Sequence, residues 1–165
     1  MYNMDGNSKM SNNVEHQRIG ARSSTLPLSC RKHSALLTDF GAVGDGRTSN
    51  TKAFKAAIDH LSQSVSDGGA QLIVPPGKWL TGSFNLTNHF TLFLHKEAVI
   101  LATQDESEWP LVPVLPSYGR GKDAPAGRFS SLIFETNLTD VVITGNNGTI
   151  DGQCASWWKI SKPVN

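Results

Sequence analysis

The spacing of apolar residues along the chain predicts one amphipathic helix and, after it, a succession of short strands. Between Ser49 and Val65 the apolar residues recur at the three- and four-residue intervals of a helix and share one face. The residues of that face are Ala53, Phe54, Ala57, Ile58 and Leu61. Ser49 or Asn50 is suited to cap the start of this helix, and the Asp-Gly-Gly at positions 67–69 ends it.

Downstream of the helix, short runs rich in β-branched and aromatic residues alternate with turn-forming residues. The runs are QLIV, KWLTGSF, FTLFLH, AVILAT, SLIFET, DVVIT and GTIDG. The turns between them, such as PPG and TGNNG, are too short to contain crossover helices, which argues against an alternating α/β architecture. The pattern therefore predicts an all-β fold after the helix.

Two segments of the strand region are similar to each other. FNLTNHFTLFLHKEAVILA and TNLTDVVITGNNGTIDG both contain Asn-Leu-Thr followed by a strand, a polar turn and a second strand. Short strands that repeat in this way are typical of a β-solenoid, in which each repeat forms one coil. A β-sandwich is the alternative architecture.

One irregular segment interrupts the pattern, the stretch QDESEWPLVPVLPSYGRGKDAPAGRFS at positions 104–130. Its prolines and glycines predict that it contains no regular structure. A loop of this length inside a compact domain is often functional. The acidic residues at its start, Asp105, Glu106 and Glu108, are interpreted as a solvated cluster rather than as catalytic groups.

Composition narrows the class of protein. The chain has 165 residues, of which 38% are hydrophobic, and this suits one domain. Its formal net charge of +1 provides no general attraction for nucleic acid or for an anionic membrane. Residues 1–32 are rich in asparagine and serine and lack the apolar core of a secretory signal, so a mobile polar leader is predicted there. Residues 33–165 form the predicted domain.

The segment GAVGDGRT at positions 41–48 has the spacing of a phosphate-binding loop ahead of a helix. The position that requires a lysine is occupied by Arg47, and no second strand with a magnesium-binding aspartate follows. The favoured interpretation is that Gly41, Gly44 and Gly46 form tight turns with positive φ and that Asp45 supports one of them. No nucleotide or other cofactor is therefore predicted.

Four segments together resemble a known family. They are LLTDFGAVGDGRTSNTKAFKAAI, QLIVPPGKWLTGSFNLTNHFTLFLHKEAVILAT, LPSYGRGKDAPAGRFSSLIF and NLTDVVITGNNGTIDGQCASWW. From Leu36 to Trp158 the chain resembles the N-terminal part of plant-type polygalacturonases, glycoside hydrolase family 28. The resemblance implies a right-handed parallel β-helix whose N-terminal end is closed by the amphipathic helix. It also implies inverting hydrolysis of α-1,4-linked galacturonan, a pectic polysaccharide.

The catalytic motifs of that family, Asn-Thr-Asp, Asp-Asp, Gly-His-Gly and Arg-Ile-Lys, do not occur in this sequence. No catalytic residue is therefore assigned, and the chain is expected to be a truncated form that is inactive alone. The closing segment WWKISKPVN also departs from the family. Cys154 stands where the family resemblance leads us to expect a glycine, and a turn with positive φ there would be strained.

Three basic residues of the irregular segment, Arg120, Lys122 and Arg128, are candidates for binding the carboxylates of galacturonate. The alternative is that they are solvated loop charges. Trp157 and Trp158 are suited to stack on a sugar ring, although packing against the coil is the favoured interpretation. The remaining candidates lack the spacing of a metal site or of a nucleophile with its base. They are His33, His60, His89, His95, Cys30 and Cys154.

Three Asn-X-Thr sequons, at Asn85, Asn137 and Asn147, are glycosylation acceptors if the chain enters the secretory pathway. Each asparagine is equally suited to a turn between coils. The sequons favour secretion, and the family resemblance implies the cell wall as the location.

Two functional hypotheses follow. In the first, the chain is the N-terminal part of a polygalacturonase-like glycosidase that acts on pectic polysaccharide. In the second, it is a non-catalytic β-solenoid that binds pectic chains or a protein partner. A coding sequence that continues into coils with the aspartate motifs favours the first hypothesis, and a stop codon favours the second.

Overall fold

The computed structural model describes residues 31–113, 128–155 and 157. Short strands dominate these residues, and one α-helix precedes most of them, as the sequence predicts. The strands are β1 (His33–Leu36), β2 (Ala70–Val74), β3 (Gly77–Thr81), β4 (Phe90–Leu94), β5 (Ala98–Ala102), β6 (Leu111–Val112), β7 (Arg128–Phe129), β8 (Val141–Gly145) and β9 (Thr149–Asp151). Helix α1 covers Thr51–Ser62, and 3-10 turns cover Leu37–Phe40 and Glu106–Glu108.

The long strands form two parallel sheets. One sheet has the strand order β1-β2-β4-β8, and the other has the order β3-β5-β9. The pairs β2–β3, β4–β5 and β8–β9 are successive coils, because each strand lies beside its counterpart from the next coil. This pairing confirms the prediction of a solenoid of parallel strands and is not that of a β-sandwich.

The internal similarity in the sequence corresponds to two stacked coils. The first similar segment contains β4 and β5, and the second contains β8 and β9. Phe90 pairs with Val141 in one sheet, and Val99 pairs with Thr149 in the other. The repeated pattern of strand, turn and strand therefore places like residues above one another.

Apolar side chains at equivalent strand positions stack to form the core. Leu72, Leu92 and Ile143 share one register position, and Ile100 and Ile150 share another. The side chains on the inner coils are fully buried, whereas Ile143 is 47% exposed and Ile150 is 42% exposed. The last described coil therefore leaves part of this core open.

Helix α1 buries the apolar face that its periodicity predicts. The face packs beside β1 and β2, and Phe54 is fully buried. The ring of Phe54 stacks on that of Phe84, with 4.6 Å between the ring centroids. Because Phe84 belongs to the segment between β3 and β4, the helix is joined to the core of the first coils.

Asn50, one of the two residues predicted to cap α1, stands at the N-cap position. Its side chain, however, makes no capping hydrogen bond. Its Nδ2 donates to the carbonyl oxygens of Val43 at 3.0 Å, Thr48 at 2.9 Å and Leu80 at 3.2 Å, while its Oδ1 accepts from the Val43 amide at 2.7 Å. The buried amide thus ties the glycine-containing loop to the end of β3, a tertiary role that helix patterns do not encode.

The glycine-containing loop at positions 41–48 is a supported turn, as predicted, with one exception. Gly41 and Gly46 have positive φ values of 76° and 73°. Asp45 accepts hydrogen bonds from the amides of Arg47 and Thr48, both at 2.8 Å, so its carboxylate occupies donors that a phosphate loop would offer to its ligand. The exception is Gly44, which does not have a positive φ; a Cβ there would crowd the Trp79 ring at 3.0 Å.

The prediction that residues 104–130 contain no regular structure is wrong within their described part. A 3-10 turn covers Glu106–Glu108, and β6 pairs with β7 in antiparallel register. Pro110 lies just outside this pairing, so its missing N–H breaks no ladder bond, and its carbonyl oxygen accepts from the Ser130 amide at 2.9 Å. The two residues of β6 between Pro110 and Pro113 are enough for the strand pair to form.

The run SLIFET does not form the strand that its composition predicts. Ile133 makes an isolated parallel bridge with Phe84. The Phe84 amide donates to Leu132 at 3.0 Å, and the Phe134 amide donates to Phe84 at 3.2 Å. The pairing between the two segments is limited to this bridge. A third side of the coil is therefore formed by a short contact rather than by a sheet.

Candidate functional site

A polar cleft of about 790 Å³ lies at the edge where β2, β4 and β8 begin. Four segments form its walls: the segment before β1, the turn after α1, the turn before β4 and the turn before β8. Their cleft-lining side chains include Val65, Ser66, Asn88, His89, Asn137 and Thr139. The cleft exists because the parallel strands begin at the same edge, which brings the turns that precede them side by side.

An ion pair between Arg31 and Asp140 forms part of the cleft wall. The Arg31 Nη1 is 2.5 Å from Asp140 Oδ2, and its Nη2 donates to Asp140 Oδ1 at 3.0 Å and to the Asp140 carbonyl at 2.9 Å. The Nε of Arg31 donates to Thr91 Oγ1 at 3.0 Å. The Arg31 side chain is only 13% exposed. This guanidinium therefore joins the segment before β1 to the turn before β8.

His89 completes the cluster around Asp140. Its Nδ1 is 3.0 Å from Asp140 Oδ2. The hydrogen bonds from Arg31 and then His89 lower the pKa of Asp140 to about 2. Asp140 is consequently ionised at mildly acidic and neutral pH, so it does not have the raised pKa of a general acid.

A second charged group lies at the same sheet edge. The Lys32 Nζ donates to Asp67 Oδ1 at 2.8 Å and to Oδ2 at 2.7 Å, and His33 Nε2 is 3.3 Å from Asp67 Oδ2. The hydrogen bond from Lys32, followed by that from His33, lowers the pKa of Asp67. These contacts and those of Arg31 connect the last two residues of the predicted leader to the folded coils.

The three predicted glycosylation sites occupy different surroundings. Asn85, Asn137 and Asn147 are all exposed, and Asn137 and Asn147 have positive φ values of 58° and 66°, which fits the turn interpretation. Asn137 lines the cleft together with Thr139 of its own sequon. The Nδ2 of Asn85 donates to Glu135 Oε2 at 3.3 Å.

The acidic residues at the start of the irregular segment have structural contacts. Asp105 Oδ1 accepts from the Ser107 amide at 3.0 Å and caps the 3-10 turn, and these contacts with Ser107 lower its pKa. Glu108 Oε2 accepts from Ser49 Oγ at 2.8 Å and from Thr51 Oγ1 at the start of α1. Glu108 therefore attaches this segment to the start of α1, whereas Asp105 stabilises the segment's own 3-10 turn.

Of the three basic candidates for galacturonate binding, one lies within the described residues. Arg120 and Lys122 lie outside the described residues, and Arg128 forms part of β7. The Trp157 ring makes T-shaped contacts with the rings of Trp109, with centroids 5.0 Å apart, and Phe129, with centroids 5.5 Å apart. The favoured interpretation of Trp157 as a packing residue agrees with these contacts, and Trp158 lies outside the described residues.

Among the described residues, no group of three or more His, Cys, Asp or Glu is arranged to hold a metal ion. No helix in this part of the chain is long and apolar enough to cross a membrane. Cys154 is a free, exposed thiol, and Cys30 lies outside the described residues. The strain considered for Cys154 does not arise, because its φ is not positive. The neighbouring Gln153 has a positive φ, 46°.

Comparison with known proteins identifies the family. Over 132 residues, 80% of this chain, the sequence is 69% identical to a probable polygalacturonase from Vitis vinifera. The chain belongs to the polygalacturonases, glycoside hydrolase family 28. The structure of the family 28 exopolygalacturonase from Yersinia enterocolitica matches 73% of the chain, with a TM-score of 0.60 and 29% sequence identity. The hyperthermoactive exopolygalacturonase from Thermotoga maritima matches 75% with a TM-score of 0.60 at 34% identity. No family model matches the chain.

The chain matches only a part of each of these polygalacturonases. The match covers 27% of the Vitis vinifera protein, 21% of the Yersinia enterocolitica structure and 26% of the Thermotoga maritima structure. The matched part of the polygalacturonase fold is therefore a small set of coils.

Sequence reasoning missed the cleft and its charged wall. Arg31 fell within the predicted leader, and His89 and Asp140 fell in turns, so none of them was a candidate for a common site. One signal was present: His89 and Asp140 both come directly before a strand of the two similar segments. Stacking of those strands places the two residues together.

Proposed function

We propose that the whole protein to which this chain corresponds hydrolyses α-1,4-galacturonan with inversion at the cleaved bond. The observation that carries this proposal is the 69% identity to the Vitis vinifera probable polygalacturonase over 132 residues. Pectic polysaccharide is then the partner, and the cell wall outside the plasma membrane is the location. Three exposed sequons support passage through the secretory pathway.

The role of the chain within that enzyme is structural. Residues 33–165 supply the first coils of a right-handed β-helix. Helix α1 covers the N-terminal end of this β-helix and shields apolar side chains and strand edges that would otherwise face water. The burial of Phe54 against Phe84 supports this role, because it fixes the helix to the first coils.

The chemistry is supplied by coils that carry the family's catalytic motifs. An inverting glycosidase needs an acid and a base roughly 6.5–9.5 Å apart across the sugar. The acids Asp105 and Glu108 are engaged in contacts that hold the irregular segment to the turn and to α1. Arg120, Lys122 and Arg128 bind the polymer's carboxylates weakly, through charge that added salt screens.

The test compares two proteins in an assay of reducing-sugar release from polygalacturonic acid at mildly acidic pH. One is this chain alone, and the other is a chimera in which its coils replace the matching coils of the Vitis vinifera relative. We expect turnover from the chimera and none from the chain alone. A folded, secreted chimera without turnover would contradict the proposed function.

A variant of the chain alone locates any residual activity. Asp105→Asn, Glu106→Gln and Glu108→Gln together remove the acids of the irregular segment. If the chain alone released sugar and this variant did not, the active site would lie in that segment and the structural role proposed for the chain would be wrong.

A further inference from the structure

We propose that the polar cleft is the docking site for the first sugar of an N-linked glycan on Asn137. The inference rests on the proposed function, because only a chain in the secretory pathway meets the glycosylating enzyme. The ligand is an N-acetylglucosamine residue covalently attached to the protein itself. The cleft's volume of about 790 Å³ lies in the range of ligand sites, about 300–1,000 Å³, and is large enough for one sugar.

The groups that line the cleft match the chemistry of this sugar. N-acetylglucosamine carries hydroxyls and one amide, which both donate and accept hydrogen bonds. The cleft offers the hydroxyls of Ser66 and Thr139 and the amide of Asn88, which have the same double capacity. Val65 adds an apolar surface for the methyl of the acetamido group.

The charges in the wall favour a neutral sugar over a uronate. The carboxylate of Asp140 is paired with Arg31 at 2.5 Å and hydrogen bonded to His89 at 3.0 Å. The guanidinium already donates to Asp140 and Thr91, so it is engaged within the protein. A negatively charged ligand would lie near the Asp140 carboxylate with no cation among the described cleft residues left to pair with it, because Arg31 is engaged. A neutral sugar avoids this cost of burying an unpaired charge.

Attachment at Asn137 places the sugar directly at the cleft. Asn137 is exposed and lines the cleft. The backbone of its sequon is held in place because the Thr139 amide donates to Asn88 Oδ1 at 2.7 Å. A tethered ligand binds at an effective concentration in the millimolar range or above, so contacts as weak as those of single sugars are sufficient to populate the docked state.

The other two sequons are internal comparisons. Asn85 and Asn147 are exposed like Asn137, but neither lines the cleft. Asn147 also shares the left-handed backbone conformation of Asn137, with φ 66° against 58°. A difference between the glycans on these two asparagines therefore reports the cleft rather than the turn type.

The experiment uses the full chain secreted from a eukaryotic host behind a signal peptide. The native glycoprotein is treated with peptide-N-glycosidase, and glycan release at each asparagine is followed by mass spectrometry of glycopeptides. We expect release at Asn137 to be about fivefold or more slower than at Asn147, because a docked sugar is shielded for most of the time. Equal rates at the two sites, or an unmodified Asn137 beside a modified Asn147, would overturn the proposal.

Two variants of the turn after α1 supply the matched control. Ser66→Leu fills part of the cleft and removes a hydroxyl, and it should bring the Asn137 rate to within about twofold of the Asn147 rate. Gln63→Leu adds the same side chain on the same turn outside the cleft and should leave the difference intact. Identical behaviour of the two variants would refute docking. The comparison of sites in the parent chain decides the proposal if Ser66→Leu is not secreted, and neither readout depends on galacturonan hydrolysis.

Discussion

Truncation of Phe54 should destabilise the fold more than other changes in α1. The side chain is fully buried and its ring stacks on Phe84 at 4.6 Å between centroids. Replacing a buried Phe by Ala costs about 3–5 kcal/mol, because it combines lost transfer free energy with a cavity. About 0.5–1.5 kcal/mol of that cost is expected from the aromatic pair itself.

Urea unfolding followed by circular dichroism measures this effect. With a slope of about 2 kcal/mol per molar urea, a loss of about 4 kcal/mol lowers the unfolding midpoint by about 2 M. Phe54→Leu retains part of the apolar volume and should fall between the parent and Phe54→Ala. This milder variant provides a measurable midpoint if Phe54→Ala is unfolded without denaturant.

Lys55→Ala is the matched control on the exposed face of the same helix. Alanine is the best helix former, and the lysine is exposed, so its midpoint should stay within about 0.3 M of the parent. Equal midpoints for Phe54→Ala and Lys55→Ala would refute the assignment of Phe54 to the contact between the helix and the coils.

Three further predictions follow from particular contacts. Because folding lowers the pKa of Asp140 from 3.8 to about 2, its ionised form stabilises the fold above about pH 4, and this stabilisation is lost as the pH falls towards 2. Asp140→Asn should therefore flatten the pH dependence of the thermal unfolding temperature between about pH 4 and pH 2. An unchanged slope would contradict this prediction. Gly44→Ala should cost about 1–3 kcal/mol in urea unfolding, because its Cβ would crowd the Trp79 ring at 3.0 Å. The chain should self-associate through its open core, and Ile143→Ser with Ile150→Ser should reduce this in sizing chromatography; a sharp monomer peak for the parent at micromolar concentration would contradict it.

The elements of the fold could be predicted wherever a local pattern carries the information. The buried face of α1 follows from its periodicity, and the stacked coils follow from the similarity of the two Asn-Leu-Thr segments. Composition alone was insufficient in the run SLIFET, because pairing there depends on the short neighbouring segment around Phe84. The β6–β7 pair was missed because the prolines and glycines of its segment predict no regular structure, although none of them lies within the paired residues.

The sequence by itself determined the helix, the strand-rich repeats, the absence of the family's catalytic motifs and the family. These properties depend on periodicity and on short motifs, which can be recognised without contacts. Only the tertiary structure decided that Asn50 ties a loop to β3 and that Gly44 lies against Trp79. It also decided the cleft, whose wall joins Arg31 to Asp140 across 109 positions of sequence. Such contacts depend on how the coils stack, so no local pattern of residues specifies them.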